Sequence, residues 1–362
     1  MQPPAVTVLG AGLVGVATAW LLLNRGYPVC LIDPAGAGEQ AAEAGTRAAL
    51  GLLMAQVYRR SSGRGWRLRQ RSLQLWQQWS DQLAQQGSAL PFRPGLLQLA
   101  AEPQELEQQQ RLVQERTAKG FPLRSLSQEQ LAQLRPQLPD GALGGLFSPL
   151  DGQLDPIVTR QLLLQDALNR GLVLVSDRAE AIGASSGADR WQVQLASGPR
   201  LQTPWLLVCA GLASAALLEP LGHQRPLAPV LGQALELQLP AGCDAESWPG
   251  SVLWQGTNLV PRPGGRLWLG ATLEPDRAAG APGDPAALEV LRQLHGHAPD
   301  WLRAATPLRQ WQGLRARPVG RPAPLLEQLE PGLLLLSGHY RNGVLLAPAS
   351  AEWAAEQIAA GP

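Results

Sequence analysis

The feature that most constrains the fold lies at the amino end: V-T-V-L-G-A-G-L-V-G-V-A-T-A-W-L-L-L, then Y-P-V-C-L-I-D closing on Asp33. An apolar strand runs into Gly10, Gly12 and Gly15, continues as an apolar helix and returns as a second strand that ends on an acid. Gly10 permits a tight turn, Gly12 lets a pyrophosphate approach bare backbone, and Gly15 lets helix and strand pack closely. The new helix turns unpaired N–H groups and a positive dipole end toward phosphate oxygens, and Asp33 falls where a carboxylate accepts from ribose hydroxyls. The ordered pattern predicts a dinucleotide site rather than a glycine-rich turn packed on itself. Such an apolar run also fits a secretory leader or a membrane span. The glycines inside it, the lack of a basic residue before it and the helix-ending N-R-G at Gly26 argue against both. The chain is therefore expected to be soluble, unprocessed and cytoplasmic.

At 362 residues the chain is long for one core, which predicts two domains. A formal charge of +1 gives no overall pull toward nucleic acid or an anionic membrane. Cys30, Cys209 and Cys243 form no C-x-x-C pair, and two of them sit in strand-like apolar runs, so neither structural zinc nor a disulfide framework is expected. His295 and His297 lack a third metal ligand at a recognisable spacing.

From about residue 61 to 138 the pattern becomes glutamine- and arginine-rich with helical periodicity, Leu68, Leu73, Leu75, Trp76 and Trp79 marking one face. P-F-R-P-G at 91–95 breaks it and leads into a short strand, L-L-Q-L-A. After Gly141, S-P-L-D-G-Q-L-D-P reads as a turn before a helix and strand. W-Q-V-Q-L and L-Q-T-P-W-L-L-V-C-A-G are expected to return to the nucleotide-binding sheet. Residues 228–306 alternate short strands with proline-glycine turns, which predicts a separate antiparallel sheet. The last segment reads strand, polar loop, helix.

Several motifs in order resemble the D-amino acid oxidase group of FAD-dependent amine oxidases, and within it the glycine oxidases of thiamine biosynthesis. They are the fingerprint with Asp33, T-R-A-A-L-G-L-L at 46–53, D-G-Q-L-D-P at 151–156, C-A-G-L-A-S at 209–214, V-P-R-P-G-G-R-L-W-L-G-A-T at 260–272, W-Q-G-L-R at 311–315 and G-H-Y-R-N-G-V-L-L-A-P at 338–348. The resemblance implies an α/β fold. A discontinuous Rossmann-like FAD-binding domain would comprise 1–75, 140–225 and 308–362, with an inserted α+β substrate domain of 76–139 and 226–307 built on an antiparallel sheet.

It also implies non-covalent FAD. Gly10, Ala11, Gly12, Leu13, Gly15 and Asp33 would hold the ADP half, and Thr46, Arg47 and Ala49 would follow the pyrophosphate and ring edge. Ala179 would border the adenine, Ala210 and Gly211 would turn the chain past the cofactor, and the loop of His339, Arg341, Asn342, Gly343, Val344 and Leu345 would pass beneath the flavin. Arg315 would clamp a substrate carboxylate bidentately, with Arg341 adding positive field. His339 is expected to organise its loop by hydrogen bonding rather than act as a base.

The implied reaction is oxidative deamination of a small amino acid or secondary amine by hydride transfer from Cα to flavin N5, giving keto acid, ammonia and hydrogen peroxide. A quinone or carrier in place of oxygen, a flavin-binding protein without turnover, an NAD-dependent dehydrogenase, and assembly into a homo-oligomer stay open. Two departures stand out. Asn258 replaces the tyrosine that in similar glycine oxidases supports the carboxylate, and Leu325-Leu326 replaces the usual glycine after R-P-A-P. Trp254, Leu273, Trp311 and Tyr340 are candidates for the pocket wall, each with ordinary core as the alternative. The arginine-rich stretch 59–71 reads as a solvated helix start or, less favourably, an anion-binding patch.

Overall fold

The strand Val6–Leu9 is buried along its whole length and forms the spine of a six-stranded sheet. It pairs in parallel with Val29–Ile32 on one side and Trp205–Val208 on the other. Val173–Val175 extends one edge, and Leu333–Ser337 followed by antiparallel Leu325–Glu330 extends the other. The computed structural model describes residues 5–39, 44–185, 190–275, 277 and 280–361. Strands buried on both faces need cover on both, and each face has it. Helices Leu13–Asn24, Pro156–Asn169 and Gly343–Ala360 pack on one face. The three-stranded sheet Ala179–Ala184, Trp191–Leu195 and Arg200–Thr203 contributes Ile182, Trp191 and Val193 to the core on the other. W-Q-V-Q-L therefore does not rejoin the nucleotide-binding sheet as expected; only Trp205–Val208 does.

The second layer is a ten-stranded sheet, antiparallel apart from the pairing of Ser251–Trp254 with Phe92–Ala100. Its inner core, with Trp248, Trp254, Leu259 and Leu269, lies under the helices Gln128–Ala132, Pro285–Arg292 and Asp300–Arg303. D-G-Q-L is not a turn: Gly144–Leu154 is one strand, paired with Phe92–Ala100. Its Asp151 is fully buried and accepts from the N–H groups of Ala55, Gln56 and Val57, while Asp155 caps the next helix. Gly144–Leu154 and Thr306–Pro318 both belong to the ten-stranded sheet, the latter crossing the expected boundary at 307/308. The helix Gly63–Gln85 likewise runs through the one expected at 75/76.

That helix is joined to the carboxyl-terminal helix at a specific defect. Pro348 lies inside Gly343–Ala360, where it has no N–H for the carbonyl of Val344. The indole Nε1 of Trp76 donates to Val344 O at 3.0 Å and Leu345 O at 3.2 Å, and Ser72 Oγ accepts from Ala349 N. The arginine-rich stretch continues the seam. Arg64 donates to the carbonyls of Pro324 and Leu326, Arg69 to Asn342 Oδ1, and Arg71 bidentately to Glu352. These three arginines thus stitch helix to carboxyl-terminal segment, while Arg59, Arg60 and Arg67 are exposed. Leu325 and Leu326, which follow R-P-A-P, begin a strand and are buried.

Trp76→Phe keeps an aromatic ring in the seam but leaves both carbonyls without their indole donor. Unfolding in urea should show a loss of about 1–3 kcal/mol.

Candidate active site

The fingerprint turn is shaped by backbone that admits no side chain. At Gly10, φ is +98°, and a Cβ would lie 2.7 Å from Cys209 O; at Gly15 a Cβ would lie 1.9 Å from Gly10 O. Asp33 accepts from Ala11 N at 2.7 Å and Ala35 N at 2.9 Å, which orients its carboxylate while lone pairs remain for ribose hydroxyls. Thr46 Oγ1 accepts from Leu13 N at 2.9 Å and keeps its O–H to donate. A side-chain-free turn, an oriented carboxylate and a free hydroxyl donor fit the sugar and pyrophosphate of a dinucleotide. Arg47 pairs with Glu39, and Ala49 ends the helical turn Gly45–Ala48. Ala210 and Gly211 begin the turn after Trp205–Val208, anchored by Ser337 Oγ donating to Gly211 O. Ala179 packs with the core that contains Leu9 and Ile32.

The second half of the site is built on the ten-stranded sheet. Pairing of Thr306–Pro318 with Leu227–Gln238 sets Arg315 opposite Val230, on the same sheet face as Gly232, Ala234, Trp311, Gly270 and Asn258. The half-buried Arg315 guanidinium lies over Gly232, where a Cβ would meet Nη2 at 2.2 Å. Its Nη1 donates to Thr272 O at 3.1 Å and Leu231 O at 3.3 Å. Among the described residues no carboxylate lies within ion-pair distance of it. Burial first, and the neighbouring positive charge of Arg341 second, push its pKa down to about 10.

Behind this arginine, Thr272 Oγ1 donates to Glu274, which also accepts from Gln233 Nε2 and Asp284 N and pairs with Arg277. Burial raises the Glu274 pKa, but these hydrogen bonds and the Arg277 charge together hold it below its ordinary value. Asn258 donates through Nδ2 to Gly270 O at 3.0 Å, and its buried Oδ1 has no partner among the described residues. Its row of the sheet, with Ala234 and Trp311, is separate from the Val230 and Arg315 row.

Trp311 Nε1 donates to Ala48 O, tying the second sheet to the turn that carries Thr46 and Arg47. Trp254 is core: it is fully buried, donates to Leu294 O and meets His297 edge-on, while Leu273 is exposed.

His339 is enclosed in the closing loop. Ser350 Oγ donates to Leu346 O, so it accepts from His339 Nε2 at 2.8 Å, which fixes the imidazole tautomer. Burial, then the charge of Arg64, drives its pKa down to about 4. Neutral and held inside the fold, it positions the loop. Tyr340 follows at φ +55°, Arg341 is exposed, and Asn342 is held by Arg69 ahead of Gly343, Val344 and Leu345, which open the carboxyl-terminal helix.

Residues 5–357 match the family described as DAO, FAD dependent oxidoreductase, and the chain belongs to that family of FAD-dependent oxidoreductases. Glycine oxidase of Pseudomonas aeruginosa is 29% identical over 358 residues, covering 95% of this chain and 92% of that protein. Glycine oxidase of Bacillus licheniformis is 25% identical over 359 residues, covering 98% and 93%. The crystal structure of glycine oxidase from Geobacillus kaustophilus superposes with a TM-score of 0.86 at 23% identity, covering 100% of this chain and 96% of that one. Among the described residues no helix is long and apolar enough to cross a membrane.

Two residues beside Arg315, Gly232 and Glu274, and Arg160, which donates to the Ala11 carbonyl in the fingerprint turn, were not singled out in sequence. Gly232 and Glu274 carry no local signal, because their roles depend on which strands become neighbours. Arg160 carried a faint one, a basic residue one turn into a helix, where the dipole favours acids.

Gly15→Ala should yield protein that retains little flavin, read from the visible absorbance of the purified chain, because no side chain moves to relieve a clash with the Gly10 carbonyl. For His339 the unfolded pKa, near 6.5, exceeds the folded value of about 4, so the unfolded chain binds more protons between them. Stability should therefore rise with pH from about 4 to 6.5 and be lost as pH falls through that window, a slope that His339→Gln should flatten in urea titrations.

Proposed function

We propose that this oxidoreductase acts on a small amino acid or secondary amine, with Arg315 binding the substrate carboxylate. The observation that carries the reading is a half-buried guanidinium held over Gly232 by two carbonyl acceptors and lacking an ion-pair partner among the described residues. A charge so placed costs several kcal/mol unless an anion meets it. Its planar fork suits a carboxylate, and fixing the carboxylate orients the substrate Cα and amine. FAD, when bound, supplies the acceptor for the hydride that leaves Cα.

The chain's own residues bind and orient. Arg341 adds positive field, as its effect on Arg315 indicates. His339, neutral and bonded to Ser350, supports the loop without taking a proton, and the substrate enters as the neutral amine. Hydrolysis of the imine product gives a keto acid with ammonia from a primary amine, or with a primary amine from an open-chain secondary one, and with oxygen as terminal acceptor hydrogen peroxide accompanies them. The glycine oxidase relatives, which cover 95% and 98% of the chain, support small amines as the class. The absence of a tyrosine at Asn258, with the amide turned into Gly270, supports a site walled differently from theirs. We further propose that the FAD-binding and substrate-binding parts follow the two large sheets.

Anaerobic addition of glycine, sarcosine, proline and small D-amino acids should bleach the yellow protein with at least one of them. No bleaching across the panel would overturn the proposal, and an oxygen electrode then separates peroxide formation from transfer to a carrier. Gly232→Ala should displace the guanidinium and raise KM by on the order of a hundredfold while flavin content stays unchanged. Since the Arg315 pKa is lowered to about 10, its charge is complete below that pH and lost above it. Inhibition by a small α-hydroxy carboxylate, which has no amine to titrate, should therefore be flat to about pH 9 and weaken as pH rises through 10.

A further inference from the structure

The cradle contains an arginine that none of the family motifs includes. Arg160 lies in the helix Pro156–Asn169, is only 4% exposed, and reaches across to the fingerprint turn. Its Nε donates to Ala11 O at 2.5 Å and its Nη2 to Gly36 O at 3.2 Å, so one guanidinium spans the glycine turn and the loop that follows Asp33. Both peptides are trans, and in a planar trans peptide the carbonyl and the next N–H point in opposite directions.

We propose that Arg160 is a positioning residue for the ADP half of the cofactor: by holding the Ala11 and Gly36 carbonyls it turns the N–H groups of Gly12 and Ala37 to the opposite side. For Gly12 that is the side where the fingerprint brings a pyrophosphate. Nearly enclosed, the guanidinium works from behind the turn. Its charge also acts on Asp33, offsetting a carboxylate that would otherwise repel a diphosphate laid beside it. Burial disfavours the cation and lowers its pKa, and the charge of Asp33 offsets this only in part.

The test measures FAD dissociation constants by ultrafiltration of the holoenzyme and of its Arg160→Met and Arg160→Lys variants, with circular dichroism confirming a folded chain. Arg116→Met is the matched control. Arg116 is equally enclosed and likewise donates to loop carbonyls, those of Gln56, Tyr58 and Arg60, away from the cradle. Arg160→Met should weaken FAD binding at least about tenfold. Arg160→Lys should fall between, because an ammonium keeps the charge but cannot span two carbonyls as a fork does. Arg116→Met should leave FAD affinity within about twofold of wild type. An unchanged dissociation constant in either Arg160 variant overturns the proposal. So does equal weakening by Arg116→Met, which would mark a general loosening. Should Arg160→Met fail to fold, the lysine variant against the control decides.

Discussion

The fingerprint turn and the groups gathered around it depend on one approach of backbone to backbone. Helix Leu13–Asn24 starts so close to the strand before it that a single carbon on Gly15 would lie 1.9 Å from the Gly10 carbonyl. Nothing there is a side chain that swings aside. The same closeness brings Leu13 N within reach of Thr46 and Ala11 N within reach of Asp33, so turn, hydroxyl and carboxylate form one rigid unit. Across from it, Gly10 packs on the Cys209 carbonyl, where the chain returns after almost two hundred residues.

The two large sheets share apolar core, Leu53 and Leu154 of the second packing in one cluster with Val6 and Val8 of the first, and a few polar pins add to it. Trp311 reaches from the second sheet to Ala48 beside the cradle, and Trp76 seals the Val344 carbonyl that Pro348 leaves open. Each pin satisfies a backbone group that would otherwise be buried unpaired, a penalty of about 1–3 kcal/mol. Such pins fix geometry as well as stability. Trp311 lies in the same strand as Arg315, so what anchors the strand also sets the distance between guanidinium and cradle.

Much of this was legible in the chain. The fingerprint and the closing G-H-Y-R-N-G loop stood out on the side of the six-stranded sheet and W-Q-G-L-R on the ten-stranded one, and the expectation that His339 organises its loop agrees with its bond to Ser350 and its lowered pKa. The misreadings share a cause. D-G-Q-L looks like a turn because Asp and Gly favour one locally, yet it forms a strand whose Asp151 side chain collects three N–H groups from a segment nearly a hundred residues earlier. The stretch after Tyr58 does begin a helix with exposed arginines, as favoured from sequence, but sequence does not reveal the carbonyl, amide and carboxylate partners that Arg64, Arg69 and Arg71 find in the last forty residues.

By itself, then, the sequence determined the glycine turn, the family and the arginine proposed to meet a carboxylate, because these rest on residue types at short fixed spacings. Tertiary structure alone decided which glycine makes room for that arginine, which buried acid stands behind it and which distant arginine grips the fingerprint turn. Those roles belong to contacts between segments from forty to about a hundred and fifty residues apart, and no local pattern encodes a contact whose two halves meet only when the sheets close.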